Sequence, residues 1–254
     1  MELALSTARA KKRCAERGYI EDPYVSHFVA DRGTGDPSMT RGYYARIRAI
    51  ELTFPFGPRL VLGAGFDTSF WRCGGKAVEV DAPDVIRAKR EIAKRNSLRV
   101  DGLDFVEADL NSFVPESSQP LIIAECVFAY LRNDNILDWA SRQENVLVVI
   151  FEPLKSNDKF GKIMFENFGI RGWNLRTKTM DEWAVLPFQK VKALSMKTVC
   201  DRLLVGEEGA RIRGLEPFDD PSEFDLLMSH YGLVLAANGT AVPFLDTLPF
   251  LLDD

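Results

Sequence analysis

Short apolar runs, separated by longer segments with helical periodicity, dominate the middle of the chain. The runs predict buried strands at residues 60–62, 76–81, 103–109, 121–125 and 145–151. The intervening periodicity predicts helices at 84–96 and 133–143. Continuously apolar strands that alternate with helices are typical of a parallel sheet covered on both faces. The pattern therefore predicts an α/β fold whose ligand site lies at the carboxyl ends of the strands.

The segments on either side of this core have a different pattern. Before it, helices are predicted at 6–17 and 39–54. After it, a helix is predicted at 193–204, and an antiparallel pair of closing strands at 209–218 and 232–239. A further helix at 222–231 would connect that pair. We expect one domain, made of a helical cap (1–57), a cofactor-binding core (58–154), and substrate-side helices with closing strands (155–254).

Composition agrees with one domain and argues against several classes of protein. The 254 residues are 46% apolar and 11% aromatic, which is enough for one large core. A net charge of −5 argues against broad nucleic-acid binding. The sequence has neither a bilayer-spanning apolar run nor a signal-peptide pattern. Four scattered cysteines and two histidines form no metal-ligand pattern. We expect a cytoplasmic monomer without a metal, a nucleic-acid partner or a membrane partner.

The first core strand ends in a glycine-rich turn, Gly63-Ala64-Gly65. This spacing is a weak signal alone, because turn geometry would explain both glycines. A dinucleotide fingerprint needs a third glycine at position 68, where this chain has Thr68. Asp67 in the turn would repel a pyrophosphate, but it suits the ammonium group of a methionine moiety. The turn therefore favours an adenosyl ligand without phosphates over a nicotinamide dinucleotide.

Polar residues at or just past the other strand ends are further candidates for ligand binding. Asp81 follows Gly63 by about twenty residues, the offset of a ribose-binding carboxylate, with a helix N-cap role as the alternative. Asp109 is placed to accept from an adenine amino group, or else to cap a turn. Glu125 would face a ligand that carries sulfonium and ammonium charges. Tyr130 would wall the methyl-transfer site, unless it is a core tyrosine.

Several segments spread over most of the chain combine into a recognisable set of motifs. They are RGYIEDPYVSHFV (17–29), TRGYYARI (40–47), VLGAGFDTSFWR (61–72), LIIAECVFAYL (121–131), FGKIMFEN (160–167) and LMSHYGLVLAANG (227–239). Together they resemble the leucine carboxyl methyltransferases. Eukaryotic members of that family methylate the C-terminal leucine carboxylate of the protein phosphatase 2A catalytic subunit. The resemblance therefore implies that this subunit's C-terminal tail is the partner.

The resemblance implies a Rossmann-like class I fold that depends on S-adenosylmethionine, with a mostly parallel seven-stranded sheet, helices on both faces and added N-terminal helices. It implies that the cofactor site is lined by Gly63, Asp81, Asp109, Leu110 and Glu125. It also implies that Lys11 and Arg46 hold the cofactor's carboxylate, while the neighbours of Lys11 in the Lys-Lys-Arg run stay solvated. The chain is shorter than the family between the second and third strands and after Asn174, in segments that help form the substrate mouth.

The expected reaction is in-line attack of a carboxylate oxygen on the sulfonium methyl, which yields a methyl ester and S-adenosylhomocysteine. A C-terminal carboxylate, with a pKa of about 3.5, is ionised at neutral pH, so no general base is required. Arg46 and Tyr130 are the predicted catalytic residues. Arg41 and Arg171 are further candidates for holding the acceptor tail.

Three alternatives remain at this stage. The acceptor could be another carboxylate or a small molecule, although the short, acidic chain argues against the family's tRNA branch with its extra domain. A non-catalytic phosphatase-docking module should have lost a pocket residue, and none is lost. A nicotinamide dehydrogenase is disfavoured by Asp67 and Thr68.

Overall fold

A single sheet of seven strands organises the computed structural model, which describes residues 1–217 and 220–252. The strands are β1 (Arg59–Leu62), β2 (Ala77–Asp81), β3 (Leu103–Glu107), β4 (Leu121–Glu125), β5 (Val146–Pro153), β6 (Lys190–Ser195) and β7 (Tyr231–Asn238). Their order is β3-β2-β1-β4-β5-β7-β6. The pairs formed among β1–β5 are parallel, whereas β7 is antiparallel to both β5 and β6. The predicted mostly parallel, seven-stranded α/β sheet is confirmed.

Helices cover both faces of this sheet and precede its first strand. They are α1 (Glu2–Glu16), α2 (Val25–Phe28), α3 (Pro37–Glu51), α4 (Ser69–Cys73), α5 (Pro83–Arg95), α6 (Asn135–Ser141), α7 (Lys159–Ile170), α8 (Met180–Ala184), α9 (Met196–Leu203), α10 (Gly206–Leu215), α11 (Pro221–Ser229) and α12 (Ala241–Leu245). Local chemistry sets several starts. Asp36 caps α3 by accepting from the Met39 N–H, and Pro37 occupies the first helical position. Within the described ranges, no helix is long and apolar enough to cross a membrane.

The sheet separates two apolar layers. On one face, β4 and β5 contribute Ile123 and Val149 to a core shared with α3, α9, α11 and α12. On the other, the alternating neighbours Ile122 and Val148 pack with α6 and with Trp183 of α8. Strand side chains point alternately to opposite faces, so a strand covered on both sides must be apolar throughout. All eight residues of β5 are buried accordingly.

The predicted closing strands are wrong in one member. Residues 209–215 belong to α10 rather than to a strand, and residue 218 lies outside the described residues. The partner of β7 is β6, which overlaps the start of the helix predicted at 193–204. Ser195 ends that strand and caps α9 by accepting from the Thr198 N–H. Every residue of β6 is only partly buried, as expected for an edge strand, so its apolar signal is weak.

A buried ion pair joins β2 to the helix that follows it. Lys89 Nζ lies 2.6 Å from Glu79 Oε2, and the two side chains are 0% and 1% exposed. Burial raises the pKa of Glu79 to about 7, although the charge of Lys89 opposes the rise. Breaking a buried pair leaves an uncompensated charge, which costs far more than losing a surface pair. The pair therefore fixes α5 against β2, the strand that ends at Asp81.

We predict that Lys89→Met lowers the free energy of unfolding by about 3–5 kcal/mol at pH 8, measured by urea denaturation. Without Lys89, the pKa of Glu79 in the folded state rises further above its unfolded value. The loss should therefore be smaller at pH 5, where Glu79 is protonated, and should grow as the pH rises. Lys94→Met, at an exposed position of the same helix, is the control. A loss for Lys89→Met no larger than the control's would contradict the prediction.

Candidate functional site

A cavity of about 280 Å³ opens at the carboxyl edge of β1, β2 and β4. Gly63, Gly65 and Asp67 line it from the turn after β1, and Asp81 and Glu125 from the ends of the neighbouring strands. The cavity is also lined by Lys11 of α1, Arg46 of α3, Leu110 after β3, and Tyr130 after β4. Nine of the ten predicted site residues thus meet around one space.

Both glycines of the turn have backbone conformations that side chains rarely adopt. Gly63 has φ +59° and Gly65 has φ +50°. A Cβ on Gly63 would lie 2.7 Å from Val127 Cγ2, and one on Gly65 would lie 3.3 Å from Ala4 Cβ. The absence of a side chain at Gly63 therefore lets the loop after β4 pack against the turn, and its absence at Gly65 lets α1 do the same.

One face of helix α1 covers the cavity. Ala4, Thr7, Ala8 and Lys11 line the cavity, and this three-and-four spacing puts them on one helix face. The alanines let the helix approach the glycine turn closely, while Lys11 carries a charge into the interior. The side chain of Lys11 is only 6% exposed.

Four buried charges meet at the inner end of the cavity. Lys11 Nζ lies 2.5 Å from Asp67 Oδ2 and 3.3 Å from Glu125 Oε1. Arg46 Nε lies 2.5 Å from Glu125 Oε2, and its guanidinium lies over the ring of Phe151. We call Lys11, Arg46, Asp67 and Glu125 the charge cluster. Its two cations and two anions balance.

The charge cluster fixes the ionisation of its members. Burial acts to raise the carboxyl pKa values, but the charge of Lys11 holds the pKa of Asp67 well below its usual range. Arg46 and Lys11 likewise lower the pKa of Glu125 despite its burial. In turn, the two carboxylates outweigh desolvation and raise the pKa values of Lys11 and Arg46. All four groups are therefore charged at neutral pH.

Asp81 connects the second strand to the glycine turn. Its Oδ2 accepts from the Gly65 N–H at 2.7 Å, and its Oδ1 accepts from the Ala82 N–H at 2.7 Å. The alternative N-cap role is wrong, because Ala82 is the N-cap of α5 and Asp81 makes no cap hydrogen bond. Each carboxylate oxygen still has acceptor capacity toward the cavity.

Asp109 differs from its predicted position. The third strand ends at Glu107, and Asp109 is exposed in the following turn, where it accepts from the Asn111 backbone and side-chain N–H groups. These hydrogen bonds lower its pKa. Among the described residues that line the cavity, Leu110 is present and Asp109 is not. The geometry therefore favours the turn role, and adenine binding by Asp109 stays a prediction.

The Lys-Lys-Arg run is not the solvated face that was expected around Lys11. Lys12 is buried and donates to the carbonyl oxygens of Val29 and Ala30 just beyond α2. Arg13 forms an ion pair with Glu216 at 2.7 Å. All three cations therefore hold elements together, because α1 is packed on more than one side.

A support of the glycine turn escaped the sequence analysis. Asp22 accepts from Thr68 Oγ1 at 2.5 Å, lies 3.3 Å from Arg72 Nε, and caps the N–H groups of Tyr24 and Val25. Its side chain is 1% exposed. The Asp-Pro-Tyr motif and the Asp-Thr pair of the turn therefore contact each other. Their long separation in the sequence hides this contact.

The loop after β4 is held by a second buried carboxylate that sequence analysis missed. Glu152 accepts from the N–H groups of Val127 and Phe128 at 2.7 Å and from that of Ala129 at 3.3 Å. Burial raises its pKa to about 7, against the effect of those donors. The preceding Cys126 has φ +54°, a costly conformation for a non-glycine residue. Glu152 thus fixes a strained loop at the cavity wall.

A second, largely apolar cavity of about 190 Å³ adjoins the first. The two share five lining residues: Leu3, Thr7, Arg46, Cys126 and Tyr130. Residues such as Phe151, Met228 and Tyr231 line its inner part, and Phe168, Arg171 and Trp173 come from the end of α7 and beyond. Of the two further arginine candidates, Arg171 lines this cavity. Arg41 is buried and lines neither cavity.

Comparison with known protein families and sequences gives a consistent match. The family described as leucine carboxyl methyltransferase matches residues 2–141. Leucine carboxyl methyltransferase 1 of Yarrowia lipolytica is 27% identical over 305 residues, which covers 91% of this chain and 94% of that protein. The Homo sapiens tRNA wybutosine-synthesizing protein 4 is 28% identical over 298 residues. That match covers 92% of this chain but only 43% of the longer human protein.

A solved structure supports the fold independently of sequence. The Haemonchus contortus phosphoethanolamine N-methyltransferase 2, solved with phosphomonomethylethanolamine and S-adenosylhomocysteine, matches with a TM-score of 0.53 at 12% identity. The match covers 76% of this chain and 53% of that one. The predicted class I methyltransferase fold is confirmed. Family and fold together support an S-adenosylmethionine-dependent methyltransferase.

We predict that Glu152→Ala destabilises the protein by about 2–4 kcal/mol, because three buried N–H groups lose their acceptor. The free energy of unfolding, measured by urea denaturation, reports the loss. Glu152→Gln keeps one carbonyl oxygen at nearly the same size, and it should lose about half as much. Equal stability of the wild type and the alanine variant would show that the loop does not depend on this carboxylate.

Proposed function

Because the chain belongs to the leucine carboxyl methyltransferase family, we propose that it methylates the C-terminal leucine carboxylate of the protein phosphatase 2A catalytic subunit. The donor would be S-adenosylmethionine. The observation that carries this proposal is the pair of adjoining cavities, one with a charge-balanced inner end and the other largely apolar. Arg46, Cys126 and Tyr130 form part of the wall that they share.

The residues of the first cavity fit S-adenosylmethionine. The amino-acid end of that cofactor carries one ammonium and one carboxylate group. Asp67 and Glu125 are suited to the ammonium, and Lys11 and Arg46 to the carboxylate. Asp81 would accept from the ribose hydroxyls, since its oxygens retain acceptor capacity. The cluster is neutral as a whole, so a zwitterion can exchange partners with it without leaving a net buried charge.

The second cavity fits a leucine residue that ends in a free carboxylate. Its inner wall offers apolar contacts from Phe151, Leu227 and Met228, and it contains cationic groups on Arg46 and Arg171. An aliphatic side chain gains free energy by leaving water for such a surface. The cations would orient the carboxylate toward the shared wall, where Tyr130 borders both cavities.

The groups around the second cavity are suited to a reaction without a general base. Burial raises the pKa values of Tyr43 and Tyr231, and it raises that of the Cys126 thiol to about 12. These groups stay protonated at neutral pH. Neither His27 nor His230 lines either cavity. A carboxylate acceptor needs no base, because it is already ionised.

Arg46 and Tyr130 would act by positioning. When bound, S-adenosylmethionine supplies a methyl group that is activated by the sulfonium charge. Arg46 borders both cavities and has five N–H donors, so it would contact the cofactor's carboxylate on one side and hold the acceptor carboxylate on the other, with one acceptor oxygen free to attack. Tyr130 would keep water from the shared wall. Holding the reactants in line supplies several kcal/mol of the barrier reduction, and a partly dry site strengthens the arginine contact. The methyl moves from sulfur to the carboxylate oxygen, which gives the ester and S-adenosylhomocysteine.

A second candidate keeps the cofactor and changes the acceptor. It is suggested by the relative whose name refers to wybutosine synthesis in tRNA, of which this chain spans 43%. The small, mostly apolar second cavity and the net charge of −5 favour the leucine carboxylate over a nucleotide acceptor.

We predict that the protein transfers labelled methyl to the phosphatase catalytic subunit only when its final leucine is present. Label should be released as methanol by mild alkali, as expected for a methyl ester. The substrate lacking that leucine is the matched acceptor control. Cofactor binding is measured separately by calorimetry with S-adenosylhomocysteine. If the protein binds S-adenosylhomocysteine but transfers methyl equally well without the final leucine, or does not transfer it at all, the terminal leucine carboxylate is not the acceptor.

A further inference from the structure

The segment that follows β5 is strongly basic in an acidic protein. Residues 155–178 contain six Lys or Arg and two Asp or Glu, whereas the whole chain has a net charge of −5. We call this stretch the basic segment. It comprises α7, the approach to it, and the chain that leads on to α8.

The basic segment borders the second cavity. Phe168, Arg171, Trp173 and Leu175 line that cavity, so the carboxyl end of α7 stands at its mouth. The rest of α7 extends away from the mouth over the surface. Only Gly161 and Met164 among its twelve residues are buried.

One face of α7 is open and mixed in character. Helical spacing brings five exposed residues onto that face: Lys159, Lys162, Ile163, Glu166 and Ile170. The isoleucines are 57% and 84% exposed, a large apolar exposure for one short helix. We call these five residues the α7 face. Arg171, also exposed, extends it to the cavity mouth.

The cations of the α7 face are available to a partner. Elsewhere in the basic segment, Arg176 and Lys178 pair with Asp134 at 3.1 and 2.7 Å. Among the residues that the structure describes, Lys159, Lys162 and Arg171 form no ion pair within 4.0 Å, and the guanidinium of Arg171 lies 5.7 Å from the centre of the Trp173 ring. Glu166 is the one acidic residue of the face, so cations prevail along the path to the cavity.

We propose that the α7 face binds the acceptor segment that precedes the methylated carboxylate, and that it selects acidic residues there. This rests on the proposed function. Lys162 lies six residues before Phe168, which is about 9 Å along the helix axis and about a third of a turn around the helix. An extended peptide covers such a path in about five residues. Acidic side chains about four to seven positions before the terminal leucine therefore face the cations, and apolar ones contact Ile163 and Ile170.

The test compares phosphatase catalytic subunits whose C-terminal tails end in leucine and carry Glu, Gln or Lys at those upstream positions. The Glu series should have a KM about twofold to fivefold below the Gln series for each contacting charge, and the Lys series a higher one. The kcat should stay constant, because the reacting groups are unchanged. The difference should shrink as salt is raised to about 0.5 M.

Charge changes on the enzyme should act in opposite directions. Lys162→Glu should raise the KM for the Glu series, and Glu166→Lys should lower it, with little effect on the Gln series. Lys94→Glu, an exposed change on α5, is the control and should alter neither KM. Equal KM values across the three series, with methylation intact, would overturn the α7 proposal alone. Failure to methylate any series, while S-adenosylhomocysteine still binds, would overturn the proposed function and this proposal together.

Discussion

The charge cluster is the constraint on which the site depends. Lys11 and Arg46 come from helices before the sheet, whereas Asp67 and Glu125 come from the turn after β1 and the end of β4. Each ion loses several kcal/mol of hydration on burial, so none is stable there without its partners. The cluster therefore ties the N-terminal helices to the carboxyl edge of the sheet. It also leaves a neutral group of four charges where the proposed cofactor carries a zwitterion.

Two further carboxylates hold the surroundings of the charge cluster in place. Asp22 links the chain between α1 and α2 to Thr68 and Arg72 beside the glycine turn. Glu152 holds the loop that separates the two cavities. Both are almost fully buried and accept from backbone N–H groups, which is the arrangement that makes a buried carboxylate tolerable. The site thus depends on three sets of buried acids, each opposed by donors from another part of the chain.

The parts that could be predicted from the sequence are those with a local signal. Continuous apolar runs located β1, β4 and β5, and an alternating pattern located β2. The turn and strand-end positions pointed to Gly63, Asp81 and Glu125. The strand β6 was missed because an edge strand is half-buried and its sequence resembles the start of the next helix. Burial of Lys12 was missed because its partners, the carbonyl groups of Val29 and Ala30, give no sequence signal.

Contacts between segments that are distant in the sequence could not be predicted from it. The roles of Asp22 and Glu152 depend on which backbone groups the fold brings near them. Lys11 and Arg46 came only from the family resemblance, and the structure now gives a physical reason for them. Asp109, in contrast, was predicted at a strand end and does not lie at one. The strand before it ends two residues earlier than its polar-apolar pattern suggested.

The central claim is that the charge cluster holds the amino-acid end of the cofactor. Calorimetric titration with S-adenosylhomocysteine and with 5′-methylthioadenosine, which lacks that end, tests it most directly. Losing two charge-assisted contacts should weaken binding by about 100-fold or more. That result would support the claim. Equal affinity for the two ligands would contradict it and would reduce the cluster to a structural link between the cap and the sheet.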